Sequence, residues 1–227
     1  MIHVLIVCEG QTEEMFVNRV LQPHFASVGT FVEPRLIATS LRGKGGRLNR
    51  DRVLRYLRNT LRERSDVYVT TFFDLYGLKP DFPGFSESTL HVDPVGRADA
   101  IEAVFHQTVV EITRCLPDRF FPHIQPFEFE SLLFSNLDRL PEVDPAWQSQ
   151  VGSLREVREM FTTPEHINDG EDTHPSARLR PLRGYKKVLH GAAITHRIGL
   201  RSIRSECRHF GRWLSRLENL PLLRHKD

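Results

Sequence analysis

Acidic side chains follow three apolar stretches of this 227-residue sequence. Glu9 comes directly after the run HVLIVC, Asp74 ends the run VYVTTFFD, and Glu128 and Glu130 lie within PFEFESLLF. A carboxylate at the end of an apolar strand loses hydration and requires a cation, a hydrogen-bond donor or a metal ion. Converging carboxylates form the oxygen-only ligand set that Mg²⁺ and Mn²⁺ prefer. We therefore predict that Glu9, Asp74, Glu128 and Glu130 are catalytic residues and ligands of a Mg²⁺ or Mn²⁺ cofactor.

A metal ion held by such residues polarises a phosphoryl oxygen and activates water, so phosphodiester cleavage is the predicted chemistry. Simpler roles remain open, because Glu9 and Asp74 also fit as caps of a helix or turn. Glu13 and Glu14 are most simply first-turn residues of a helix that Thr12 caps. Glu128 and Glu130 share one face if their segment is extended but diverge if it is helical.

Two basic segments are suited to holding a polyanion near the carboxylates. The loop RGKGGRLNRDR carries Arg42, Lys44 and Arg47 among flexible glycines, and YKKVLHG carries Lys186 and Lys187. We predict phosphate binding by the three loop residues and Lys187, and a catalytic role for Lys186. A mobile surface loop and solvated helix residues are the alternatives, since the loop lacks the GxxxxGK[ST] spacing.

The formal net charge of +2 conceals an uneven distribution. From Arg178 to the end the sequence has 13 Lys or Arg against 3 Asp or Glu, whereas the preceding part is acidic. This split favours an acidic site beside a cationic surface that contacts nucleic acid, with Arg201 and Arg204 among the contacts. A solvated basic helix face is the alternative. The 11 histidines show no HxxxH spacing, so the sequence predicts no histidine-based metal site or mechanism.

The elements that must position these residues alternate between strand and helix. Such alternation predicts an α/β fold with a mostly parallel sheet flanked by helices, in which strand ends converge at one edge. Predicted strands are 3–8, 31–37, 67–74 and 120–125, and predicted helices are 12–21, 48–64, 99–115 and 200–217, the last with a division into two helices at Gly211 as an alternative.

The sequence predicts an α/β core at 1–140 and a helical, basic C-terminal part at 141–227 that packs on this core to form one structural unit with it. The sequence contains no apolar run long enough to span a membrane and no N-terminal secretory pattern, so we expect a cytoplasmic protein without membrane partners. Cys8, Cys115 and Cys207 are predicted to be free thiols.

Several motifs together resemble a known family. VCEGQTEEMFV is similar to the first motif of the Toprim superfamily, especially the variant found in OLD-type nucleases. FFDLYGLKPDFPG, IQPFEFESLLF, INDGEDTHPSARL and YKKVLHG resemble a bacterial Toprim-like family described only as a domain of unknown function. The Toprim effector subunit of the PARIS anti-phage system is also similar. The resemblance implies a Toprim-like (Rossmannoid) fold with a helical C-terminal extension.

The resemblance further implies that Glu9 is the Toprim glutamate and that Asp74 is the first aspartate of the DxD motif. The second DxD position is Tyr76 here, so Glu128 or Glu130 is expected to supply the missing ligand. Asn168, Asp169 and Lys186 match family positions to which the resemblance assigns no role.

The function implied is a metal-dependent nuclease acting on DNA or RNA, tRNA included. The same resemblance implies an anti-phage defence effector that works with an ABC-type or AAA ATPase encoded nearby, and a homodimer is one expected assembly. The sequence also fits two alternative functions. One is a non-catalytic binding or assembly subunit, motivated by Tyr76, and the other is a phosphatase or nucleotidyl transferase with the same metal site.

Overall fold

The fold is built on a parallel β-sheet, seen in a computed structural model that describes residues 1–37, 48–167 and 170–223. The strands of the described residues are β1 (Ile2–Cys8), β2 (Thr30–Leu36), β3 (Tyr68–Asp74), β4 (Phe120–Phe121) and β5 (Ile124–Gln125). The strand order is β2-β1-β3-β4, and β5 pairs with the end of β3. All of these pairs are parallel, so the carboxyl ends of β1 and β3 lie side by side.

Helices cover both faces of the sheet. The α-helical segments of the described residues are α1 (Gln11–Phe16), α2 (Gln22–Ala26), α3 (Arg50–Glu63), α4 (Phe85–Ser88), α5 (Pro94–Thr113), α6 (Val151–Glu159), α7 (Pro175–Arg178), α8 (Lys187–Ile198), α9 (Leu200–Glu206) and α10 (Arg208–Glu218). A π-helical turn at Val17–Leu21 joins α1 to α2, and 3₁₀ turns include Leu75–Gly77, Phe129–Ser135 and Pro164–His166. No helix in these described ranges is long and apolar enough to cross a membrane.

The alternation of side chains along β1 assigns one hydrophobic core to each face of the sheet. Val4, Ile6 and Cys8 belong to a core shared with α1 and the C-terminal helices. Leu5 and Val7 belong to the opposite core, which α3 and α5 complete. Successive residues of a strand point to opposite faces, so an uninterrupted apolar strand is expected when both faces are covered. The predicted α/β class, with its parallel sheet, flanking helices and helical C-terminal part, is confirmed and consistent with a Toprim-like fold.

The C-terminal helices share the first of these cores with the opening helix. Trp147 and Leu214 are buried in the same cluster as Phe16. The Trp213 indole N–H also donates a hydrogen bond of 2.9 Å to the Thr70 hydroxyl on β3. The predicted division after residue 140 therefore does not coincide with an interruption of this core, and the two-part description itself stays a prediction.

Three local predictions need correction. The N-cap of α1 is Gly10 and not Thr12, because the chain turns into the helix two residues earlier. The predicted strand 120–125 is divided into two-residue strands. The last helical run breaks at Cys207 and not at Gly211, where a Cβ would lie 2.9 Å from the Arg204 carbonyl oxygen. Gly211 thus permits close packing inside α10.

The three cysteines are free, as predicted, and Cys8 and Cys207 are buried. Burial raises the pKa of both of these thiols well above the ordinary value. Thiolate chemistry at neutral pH is therefore disfavoured at both positions.

Candidate functional site

Glu9 and Asp74 meet at the carboxyl ends of β1 and β3. Cys8 pairs with Phe72, so Glu9, which follows β1 directly, lies next to the last residues of β3. The Asp74 backbone N–H donates to Glu9 Oε2 across 3.4 Å. A Cβ at Gly77 would lie 2.7 Å from Glu9 Oε1 and 2.8 Å from Oε2, so the Glu9 carboxylate rests directly over this glycine. The structure thus brings together the two residues on which the sequence prediction depended.

Glu13 joins these two carboxylates, although its sequence position suggested only a role in starting the helix. Its Oε2 accepts the Gly10 backbone N–H at 2.9 Å, which fixes the first turn of α1. The side chain is buried, on the same helix face as Thr12 and Phe16. Glu9 precedes the N-cap of α1, so helical periodicity does not link it to Glu13, and no sequence signal marks the burial of Glu13.

Glu128 and Glu130 diverge, because the chain enters a 3₁₀ helix at Phe129. Glu130 is fully buried, and its Oε2 lies 2.9 Å from Lys187 Nζ. Apart from this ion pair, its carboxylate oxygens have no hydrogen-bond partner in the described part of the chain. Glu128 turns towards the start of α7, where its Oε2 accepts the Ser176 backbone N–H at 2.9 Å and lies 3.2 Å from Nδ1 of the N-cap residue His174.

Lys187 is the cation among these acidic groups. Its Nζ lies 2.9 Å from Glu130 Oε2 and 3.5 Å from Asp74 Oδ2. Lys186, to which the sequence analysis assigned a catalytic role, is exposed at the N-cap of α8, where its backbone N–H donates to His190 Nδ1. We call Glu9, Glu13, Asp74, Glu130 and Lys187 the acidic cluster.

The acidic cluster carries more negative charge than its lysine neutralises. Burial, followed by the charge of Asp74, raises the pKa of Glu9 to about 7 and that of Glu13 to about 8. Burial also raises the pKa of Asp74 to about 6 and that of Glu130 to about 7. Burial alone would lower the pKa of Lys187, but the neighbouring carboxylates outweigh it and raise that pKa well above the ordinary value. At neutral pH the cluster therefore holds protons that a divalent cation would displace.

The donor set fits a hard divalent cation. The carboxylates come from two adjacent strand ends, the first turn of α1 and a 3₁₀ helix, and each offers oxygen. Asp74 Oδ1 is oriented by the Phe129 backbone N–H at 2.9 Å, which leaves Oδ2 towards Lys187. Oxygen-only ligation of this kind suits Mg²⁺ or Mn²⁺ better than Zn²⁺ or copper.

Tyr76, which the predicted resemblance aligns with the second DxD position, contacts the turn at Phe127 and the ring of His174. Its backbone N–H donates to the Phe127 carbonyl at 3.0 Å, and its ring, which is 43% exposed, stacks on His174 with centroids 5.5 Å apart. Phe127 has a left-handed backbone with φ 56°, a conformation that L-residues with large side chains rarely adopt. This turn directs the chain from β5 to Glu128, so Tyr76 supports the segment that carries Glu128 and Glu130.

Of the predicted basic contacts that the structure describes, Lys187 belongs to the acidic cluster, whereas Arg201 and Arg204 do not. Arg42, Lys44 and Arg47 lie outside the described residues, as do Asn168 and Asp169. Arg201 is exposed, and Arg204 forms an ion pair with Glu218; both line a cavity of about 450 Å³ with His24 and His196. His196 is nine residues from Lys187 along α8, roughly 14 Å at the rise of an α-helix. These arginines therefore lie at the opposite end of α8 from the carboxylates.

A known protein family matches nearly the full length of the chain. The family described as "Domain of unknown function (DUF4276)" matches residues 8–218. The chain belongs to this family. The match bears out the predicted resemblance to a bacterial family described only as a domain of unknown function.

Among solved structures, the chain of DUF4276 type is similar to the C-terminal region of the OLD protein of Xanthomonas campestris pv. campestris. The identity is 14%, the alignment covers 93% of this chain and 96% of that chain, and the TM-score is 0.41. None of the curated proteins matches the sequence. The acidic cluster is therefore the main indication of what this DUF4276 protein does.

Proposed function

We propose that this protein is a Mg²⁺- or Mn²⁺-dependent nuclease that cleaves phosphodiester bonds in nucleic acid. One observation carries the proposal. Buried carboxylates converge at the carboxyl ends of β1 and β3, and one lysine is too little charge to neutralise them. Ligands of open parallel sheets bind beyond this edge, where the side chain of Lys187 is 39% exposed.

Glu9, Asp74, Glu13 and Glu130 are the residues that would hold the ion. When bound, the ion supplies Lewis acidity to a phosphoryl oxygen and lowers the pKa of bound water. Glu128 is anchored by Ser176 and His174, and we assign it the role of positioning the turn that presents Glu130. Either Glu128 or Glu130 was expected to replace the second DxD aspartate, and the burial of Glu130 beside Lys187 favours Glu130.

Lys187 is the residue that we assign to the substrate phosphate. Its ammonium is held by Glu130 and Asp74, so its position is fixed before substrate binds. A lysine is a compact point charge that neutralises a phosphate or a leaving oxygen without a fixed hydrogen-bond direction. Charge stabilisation of this kind in a partly dry site contributes most when the donor is already in place.

The biological setting proposed for this activity is anti-phage defence with an ATPase partner in the cytoplasm. It is supported by the resemblance of the sequence motifs to defence effectors. The substrate is proposed to be DNA or RNA, tRNA included, and Arg201 and the other exposed arginines of the basic C-terminal part are proposed to contact it outside the acidic cluster.

A non-catalytic role within an ATPase complex is the second candidate. The observation that favours it is Tyr76, which stacks on His174 where the DxD motif has a carboxylate. In that case the Lys187 ion pairs would stabilise the fold and would bind no phosphate. A phosphatase or nucleotidyl transferase would use the same carboxylates and differs only in substrate.

Cleavage assays in Mn²⁺ distinguish these candidates. Purified protein, alone and with its neighbouring ATPase, is incubated with labelled single- and double-stranded DNA, tRNA and a small phosphomonoester. Cleavage of a nucleic acid that is lost in Glu9→Gln and Asp74→Asn, and kept in Glu14→Gln, supports the nuclease. Glu14 is the matched control because it follows Glu13 on the same helix and lies outside the acidic cluster. Full activity in the Glu9 and Asp74 variants would refute the assignment.

A further inference from the structure

A second group of metal-binding side chains lies apart from the acidic cluster. Glu102 on α5, His123 between β4 and β5, and His209 on α10 each offer one ligand atom, and these atoms all lie within 4.8 Å of one another. The residues come from three separate elements, and both histidines are buried. We call these three residues the histidine cluster.

The distances within the histidine cluster suit one shared ion. His209 Nε2 lies 2.8 Å from Glu102 Oε1, and His123 Nδ1 lies 3.6 Å from the same oxygen. Ligand atoms bound tetrahedrally at zinc distances lie roughly 3.4 Å apart. The distance from His123 Nδ1 to Glu102 Oε1 already matches this value. The distance from His209 Nε2 to Glu102 Oε1 is that of an ion pair, and it would have to lengthen by less than the length of a covalent bond.

Neighbouring groups orient both imidazole rings. His123 Nε2 lies 3.3 Å from Gln125 Oε1, and the His123 ring stacks on Trp213 with centroids 4.6 Å apart. His209 Nδ1 lies 3.4 Å from Asp99 Oδ1 and 2.8 Å from Arg212 Nη2. Arg212 Nη2 also donates to Asp99 Oδ1 at 2.7 Å, and a carboxylate near the far nitrogen of a histidine is a common support of a metal-bound imidazole.

The histidine cluster has an open side. Glu102 and Asp99 line a cavity of about 320 Å³ together with His106 and Asp118. Glu102 is partly exposed, whereas the two histidines lie behind it. Three protein ligands and one solvent-accessible position form a common arrangement for zinc.

We propose that Glu102, His123 and His209 bind one transition-metal ion, of which Zn²⁺ fits the two-nitrogen, one-carboxylate donor set best. The site differs in chemistry from the oxygen-only acidic cluster, and imidazole ligands select against Mg²⁺. An ion there ties α10 to α5 and to the segment before β5. It would therefore stabilise the C-terminal helices against the sheet, whether or not the protein is a nuclease.

Spectroscopy with Co²⁺ in place of Zn²⁺ tests the proposal. Untagged protein is freed of metal with a chelator, checked for folding by circular dichroism and titrated with Co²⁺, which gives a visible absorption band when its coordination number is low. We expect the visible band to saturate at one equivalent of Co²⁺ and to disappear when Zn²⁺ displaces it, and we expect Co²⁺ to raise the melting temperature. The proposal is overturned if folded wild-type protein gives no such band and takes up no Zn²⁺ in calorimetry.

Matched variants locate the ion. Glu102→Gln and His209→Gln are expected to weaken Co²⁺ binding at least tenfold, while the double variant Glu9→Gln/Asp74→Asn binds Co²⁺ in the histidine cluster as wild type does. Unchanged binding in both Glu102→Gln and His209→Gln would place the ion elsewhere and refute the site. The double variant alters the acidic cluster and leaves the histidine cluster intact. Loss of nuclease activity and loss of Co²⁺ binding in the histidine cluster can therefore be told apart.

Discussion

The Lys187 ammonium lies 2.9 Å from Glu130 Oε2, at the first residue of α8 and beside the carboxyl ends of β1 and β3. A fully buried carboxylate with a single ionic partner is a costly arrangement for stability alone, because both groups lose hydration. The arrangement is instead suited to a site where a divalent cation and a phosphate complete the charge balance.

Removal of the lysine charge tests that role. Lys187→Met keeps much of the side-chain length but leaves Glu130 and Asp74 without their cation, so their protonated forms are favoured further. We expect the rate of Mn²⁺-dependent cleavage to fall on the order of 100-fold. Lys186→Met is the control because Lys186 is exposed one residue away, and its rate is expected to stay near wild type. Equal losses in both variants would contradict a specific role for Lys187.

The raised carboxyl pKa values predict how stability depends on pH. Burial raises the pKa of Glu13 from 4.5 to about 8, so the folded state keeps a proton that the unfolded chain releases. The folded state therefore binds more protons, and the free energy of unfolding falls as pH rises from about 5 to 8. This contribution is fully present below the unfolded pKa and is lost as pH passes the folded value.

Glu13→Gln isolates that contribution, because a glutamine carbonyl still accepts the Gly10 N–H and preserves the helix start. In metal-free urea unfolding, we expect wild type to lose stability relative to Glu13→Gln between about pH 5 and pH 8, and Mn²⁺ to restore wild type. Parallel pH profiles of the two proteins would show that Glu13 titrates normally and would contradict its place in the cluster.

Gly77→Ala tests whether the Glu9 carboxylate must stay where it is. The added Cβ would lie 2.7 Å from Glu9 Oε1, so the carboxylate has to move. We expect Mn²⁺ affinity to fall at least about tenfold, as when a group that orients a metal ligand is altered. The control is Gly152→Ala on α6, where no atom lies within 4 Å and alanine favours the helix by about 1 kcal/mol. Unchanged affinity in Gly77→Ala would mean that Glu9 is not a ligand.

The sequence predicted the sheet and its two main carboxylates because local signals and topology agreed. Glu9 and Asp74 each end an apolar run, and parallel strands bring such ends together. The sequence could not show which of Lys186 and Lys187 points at the carboxylates. That depends on the residue at which α8 begins, because each further helical residue is rotated by about 100°.

Glu13 and the histidine cluster were missed for physical reasons of a different kind. A glutamate in the first helical turn has a sufficient local explanation, and only packing reveals that Glu13 is buried. Glu102, His123 and His209 belong to separate elements and have no diagnostic spacing, so the fold alone brings them together. That Tyr76 departs from a DxD pattern stays a prediction, and its stacking on His174 depends on a turn that no sequence rule predicts.

Binding of Mn²⁺ followed by electron paramagnetic resonance tests the central claim most directly. Metal-free wild type, the double variant Glu9→Gln/Asp74→Asn and the control Glu14→Gln are titrated with Mn²⁺ at neutral pH, and the signal of free ion is measured. The acidic cluster as described predicts saturable binding in wild type and in the control, competed by Mg²⁺, and loss of that binding in the double variant. Equal binding by all three proteins, or none by wild type, would contradict a divalent metal site at Glu9 and Asp74.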